Sequence, residues 1–185
     1  MFEKMLNVTA FASVPTLALC ILGCLIFLPR EKRPFLLPVT AVSAGALLLL
    51  VGGNWLLGWF GLTWRNLPAG ALCALLLIGG CATILFMLGA LLPAELPKIS
   101  GLVRWLIKSA AAVSAALVLF YALSLGGIAI SLAYGNEERV VEYEGNTWVE
   151  VDMSFLDPCY DYFAYHGPLV RGEERLHRAM EPLTD

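Results

Sequence analysis

Charge is scarce in the first two thirds of this chain, and its absence excludes more than its presence suggests. Only 15% of the 185 residues are Asp, Glu, Lys or Arg, against about a quarter in soluble domains. The apolar cores of four long runs contain no Asp, Glu, Lys, Arg or His. Proton relays, ion pathways and voltage sensors are assembled from such residues inside the membrane. A coupled transporter or ion channel acting alone is therefore not expected.

Catalytic and metal-binding vocabulary is equally thin. Histidine occurs twice, at His166 and His177, with neither a nucleophile at a telling spacing nor an H-E-x-x-H partner. There is no G-x-S-x-G, no glycine-rich phosphate loop and no paired cysteine motif. Cys20 and Cys24 share a helix face and Cys73 and Cys81 lie in another run, but no histidine accompanies them. A buried thiol there acts as a small hydrophobe. Cys159 stands apart, open to burial in the tail, to intermolecular pairing or to life as a free thiol. Asp152, Asp157 and Asp161 lack the ordered spacing of a calcium loop. No catalytic residue, metal or cofactor is expected.

What is abundant is apolar sequence, 59% of the chain. A bilayer core about 30 Å thick needs roughly 20 apolar residues at about 1.5 Å each. Residues 8–28, 35–57, 68–92 and 103–134 meet that length. The first exceeds a signal peptide's apolar stretch and has no small-residue cleavage site, so it reads as a permanent anchor. Pro34 and Pro38 open the second run, where a missing N–H costs little. Residues 58–66, rich in Trp and Phe, read as a loop held at the membrane surface by an aromatic belt. Ser100 is placed to cap the fourth run, which exceeds the bilayer thickness. Either its first turns, with Arg104, Trp105 and Lys108, lie in the interface, or Gly126 and Gly127 break it.

The charges that do occur are segregated. Up to Gly135 there are eight Lys or Arg and three acids; beyond it, four Arg and twelve acids. A membrane part of net charge +5 thus precedes a tail of −8. Such a tail repels nucleic acid and anionic headgroups, so DNA and RNA are not expected partners. Arg30, Lys32 and Arg33 fall between the first two runs, and Lys98 and Arg104 between the last two. Basic loops stay in the cytoplasm, which places both termini outside.

Small residues recur every fourth position: Ala12, Thr16, Cys20 and Cys24; Gly70, Ala74, Ile78 and Ala82; Ala112 and Ala116. Such ridges let helix backbones approach where lipid supplies no hydrophobic drive. Gly70, Ala74, Ala112 and Ala116 are the expected packing positions.

Beyond residue 135 the period changes. Val141 and Tyr143, then Val149, Val151, Met153 and Phe155, alternate as strands do, and Gly145 with Asn146 suits a tight hairpin. A third strand is expected at residues 160–165 and a short helix at 173–180, with the last five residues frayed. The expected architecture is an α-helical membrane protein: a four-transmembrane-helix bundle over residues 1–135, and a small extracytoplasmic β-meander in an acidic tail over residues 136–185.

The most distinctive text is Tyr160-Asp161-Tyr162-Phe163-Ala164-Tyr165-His166-Gly167-Pro168-Leu169-Val170-Arg171-Gly172. With the preceding hairpin it resembles the C-terminal ends of small multipass membrane proteins of unknown function found in Gram-positive bacteria. The resemblance spans about 35 residues, implies a cell-membrane location and carries no assigned activity. Tyr160, Tyr162, Tyr165 and Trp148 are amphipathic rings suited to seating on headgroups or a protein partner, or to forming the core of the meander. The leading expectation is a non-enzymatic accessory or immunity-type protein that lives in the lipid bilayer and binds a partner through its tail. The alternatives are an oligomeric small-solute permease or transport accessory subunit, and a membrane enzyme with an outward site.

Overall fold

The computed structural model of the protein describes residues 33–93, 100–154 and 157–183. Helix α1 runs Arg33–Trp59, α2 Asn66–Leu91 and α3 Gly101–Tyr134. A short strand β1, Leu62–Trp64, interrupts the connection between α1 and α2. After α3 come β2 Glu138–Tyr143, β3 Asn146–Asp152, β4 Tyr160–Tyr165 and β5 Val170–Ala179. Three helices long and apolar enough to cross a membrane are therefore followed by a small antiparallel sheet. The expected first crossing, residues 8–28, lies outside the described residues, so the described helices number three rather than four.

The helices begin and end within two residues of expectation. α3 is continuous for 34 residues, so Gly126 and Gly127 do not break it. At about 1.5 Å per residue it measures roughly 50 Å, well beyond a bilayer core. Lys108, in its second turn, donates to the carbonyl of Leu92 just past α2, placing a cation where α2 leaves unpaired carbonyls.

The buried helix positions recur mostly at spacings of three, four and seven: α1 buries Leu36, Ser43, Ala46 and Leu50, and α2 buries Asn66, Ala69, Gly79, Thr83 and Ala90. A strict four-residue step turns a helix about 40° off its starting face, so a single ridge of fourth positions does not stay at a contact. Gly70, where a Cβ would lie 3.3 Å from Tyr134 Cβ, and Ala74 are half-buried, but Ile78 is exposed. On α3, Ala112 is half-buried and Ala116 is exposed, and the buried position is Ala115. The closest approach is at Gly79, where any Cβ would collide with Ser43 Oγ. Ser43 and Thr83, both fully buried, return their hydroxyls to the carbonyls four residues back, Val39 and Gly79, at 2.8 Å. With their hydrogen bonds closed locally, they pack as small apolar groups.

Strand order in the sheet is β1-β5-β4-β3-β2, with every pair antiparallel. The hairpin between β2 and β3 turns on Glu144 and Gly145, with φ of 50° and 76°, one residue earlier than expected. Two successive positive φ values match the right-handed twist of the flanking strands. Two expectations fail here. Residues 62–64 are a strand and not only a surface loop, because pairing with β5 satisfies backbone groups that lipid cannot. Residues 173–179, expected as helix, belong to β5. Their charged side chains suit the part of β5 beyond Glu173, whose N–H still reaches the Gly61 carbonyl; past it, no strand among the described residues pairs with that edge of β5.

Candidate interaction surface

Because β1 precedes α2 and β2 follows α3, one sheet joins the entry of α2 to the exit of α3. Polar contacts fix that junction. The Arg65 backbone N–H donates to the Leu169 carbonyl at 2.9 Å, and Asn66 Nδ2 donates to the Asn136 carbonyl at 3.2 Å. Arg65 Nε donates to Glu138 Oε2 at 3.0 Å, while Arg171 Nε lies 3.4 Å from Glu138 Oε1. The side chains of Arg65, Arg171 and Glu138 are only 15%, 14% and 6% exposed. The Arg171 guanidinium also lies 3.9 Å from the centre of the Phe163 ring. Such a cluster is stable only while its geometry holds, since each charge has been taken out of water.

Register assigns the remaining side chains to two faces. Trp148, Glu150, Asp152, Tyr160 and Tyr162 alternate onto one face with Arg139; Val149, Val151, Asp161 and Phe163 take the other with Glu138. Val149 and Val151 are buried as their alternation predicts. The three tyrosines do not form one surface. Tyr160 and Tyr162 share a face, and Tyr165, an odd number of residues along the strand, points to the opposite one.

Tyr162 is the centre of its face and is fully buried, so it belongs to the core of the sheet and not to a contact surface. Its hydroxyl donates to Glu150 Oε2 at 2.7 Å and accepts from the Leu183 N–H at 2.9 Å. Burial, and then the hydrogen bond to Glu150, push the phenol up to about 12. Trp148 packs edge-on against it at 6.1 Å and His177 tilts over it at 6.0 Å. Trp148 and Tyr160 remain half-buried and Tyr165 exposed, and these three keep rings available at the surface.

On the opposite face, Arg178 grips the buried Asp161 with two bonds, of 2.6 and 2.8 Å, and Arg175 stands 3.6 Å away. The Arg178 guanidinium holds the Asp161 carboxyl below the usual carboxylate range. Asp152 is likewise lowered, first by the Ser154 side-chain hydrogen bond and then by the Ser154 N–H, which donates to it at 2.8 Å. A cleft of about 90 Å³ is lined by Glu137, Arg139, Glu150, Asp152, Tyr160 and Pro182. Its Arg139 is engaged by Glu137 at 3.0 Å. Among the described residues, no three His, Cys, Asp or Glu side chains gather as a metal-binding group.

The Arg65, Glu138 and Arg171 cluster carries no local signal in the sequence. Its members lie 73 and 33 residues from Glu138. The one available hint was Arg65 itself, a lone cation beside the aromatic loop. Comparison with protein-family models, with curated proteins and with solved structures finds no match.

Proposed function

We propose that this chain is a non-enzymatic protein of the cell membrane, with both termini outside, whose sheet holds a docking surface for a protein partner. An accessory or immunity-type role fits that description. The observation that carries the reading is mechanical: the sheet is clamped to two helix ends through β1 and the buried Glu138 cluster, while apolar side chains on it stay exposed. Val140, Met153, Leu176 and Met180 are among these, beside the half-buried Trp148 and Tyr160 and the exposed Tyr165. A rigid scaffold with exposed apolar and aromatic side chains is what an interface requires before its partner arrives.

The test replaces Trp148 and Tyr160, the two rings on one face, with Ala in the full chain. Purification in mild detergent is expected to recover a stoichiometric protein with the wild type and lose it with the variant, while the variant's sheet keeps its protease resistance. If deleting residues 136–185 left the physiological effect intact, the function would belong to the helices. Labelling from outside intact cells should modify Gly145→Cys and spare Glu31→Cys; the reverse pattern would invert the orientation.

A further inference from the structure

The turn between β4 and β5 is the part of the distinctive segment that partner docking leaves unexplained. From Tyr162 to Gly172 there is no acidic residue, although the tail beyond residue 135 carries twelve. The end of this acid-free stretch is bonded to the entry of α2, where Asn136 and Glu138 also make contact with Asn66 and Arg65. The Leu169 carbonyl accepts from the Arg65 N–H, immediately before α2, and Trp64 pairs with Val170. Leu169 is nevertheless 56% exposed, and Leu67, in the first turn of α2, is 84% exposed. Phe60 and Trp59 are exposed at the end of α1.

We infer that the turn at residues 166–169 is a second membrane anchor, which seats Leu169 beside Leu67 and Phe60 at the boundary of headgroups and acyl chains. The occupant of this apolar surface is lipid. Position in the chain supports that assignment, since Phe60 directly follows the last turns of α1, where Trp55, Leu56 and Trp59 are likewise exposed. Charge supports it as well. Carboxylates are disfavoured beside anionic phosphates, and the turn itself carries none and includes His166; the next acid along the chain is Glu173, whose N–H donates to the Gly61 carbonyl. Pro168 fixes φ and lacks an N–H, so the turn has one fewer backbone donor to satisfy at the interface. Burying Leu169 in the interface gains apolar contact without disturbing the pairing of β5. The sheet is thus held by the bilayer surface as well as by its protein clamp. This inference requires only that the helices sit in a membrane and does not depend on a protein partner.

The test places an environment-sensitive fluorophore at Leu169→Cys, and separately at Leu176→Cys on the open part of β5, in a background without native cysteines. The proteins are reconstituted into phosphatidylcholine vesicles. Doxyl lipids labelled near the headgroup should quench the probe at 169 several-fold more strongly than the probe at 176. Equal, weak quenching at both sites would overturn the proposal. Should the cysteine-free background not fold, amide exchange on the wild-type chain decides the matter. Protection across residues 166–169 should be greater in lipid nanodiscs than in short-chain detergent, with residues 174–178 unchanged; identical exchange in both would overturn the proposal.

Discussion

Apart from Leu36 and Leu50, the helices bury mostly small residues, whereas the sheet buries larger ones. α3, with 34 residues, buries only Ala115, and the fully buried positions of α1 and α2 include Ser43 and Thr83. β3, with seven residues, buries Val149, Glu150 and Val151 in succession, and its neighbour buries Tyr162 and Asp161. Large apolar side chains on the helices, such as Leu48, Leu85, Phe120 and Leu132, remain exposed. The two regions answer to different solvents. In lipid a leucine gains little by leaving the surface, so small groups mark where helices meet. In water the sheet must withdraw large side chains and then satisfy every polar atom that goes with them.

This contrast is most sharply broken at Glu138. Glu138→Ala removes the carboxylate that both Arg65 and Arg171 face in a largely dry cluster. The expected loss is about 3 kcal/mol. It should appear as protease sensitivity of residues 136–183 while α1, α2 and α3 stay inserted. If the sheet stayed as resistant as the wild type, the clamp would lie elsewhere.

A helical counterpart tests the small-residue rule. Gly79→Ala inserts a methyl group where Ser43 Oγ sits and is expected to cost roughly 1–3 kcal/mol in a detergent melting assay. Leu85→Ala, on an exposed position of the same helix, should stay within about 0.5 kcal/mol. Combining Gly79→Ala with Ser43→Ala should recover part of the loss, and equal tolerance at positions 79 and 85 would sink the rule.

The smallest expected effect comes from the hydroxyl of Tyr162. Tyr162→Phe leaves the Leu183 N–H and one Glu150 oxygen without their partner, at a cost of about 1–2 kcal/mol. It also predicts a pH signature. The phenol titrates near 10 when unfolded and at about 12 in the sheet, so folding favours its neutral form. Its contribution is complete below pH 10 and is lost as pH rises through about 12. Urea unfolding of the sheet across that window should show a falling limb in the wild type that is shallower in the Phe variant.

Much of this was legible beforehand because it is written locally. Long apolar runs give helices from length alone, and alternation at Val149 and Val151 gives a buried strand face. What was not legible depends on distant pairing. The segment Glu173-Glu174-Arg175-Leu176-His177-Arg178-Ala179 is made largely of good helix formers, and only its pairing with β4 makes it a strand. Tyr162 and Tyr165 are three residues apart in a strand and so face opposite ways; no composition rule announces which one enters the core. Small residues at fourth positions were visible too, but a strict four-residue step turns away from the contact face, and α3 buries Ala115 while Ala116 is exposed.

The pairing of β1 with β5 also sets an order of events during synthesis. Thr63 and Arg171 are partners in the sheet, yet more than a hundred residues separate them in the chain. While α2 and α3 are being made, the backbone groups of Leu62, Thr63 and Trp64 lack their β5 partner, because β5 follows both helices in the chain. Contacts of such long sequence separation form slowly. The closing of β5 against a strand made long before it is therefore a late step, and until then the α1 to α2 connection and β5 are two edges waiting for one another.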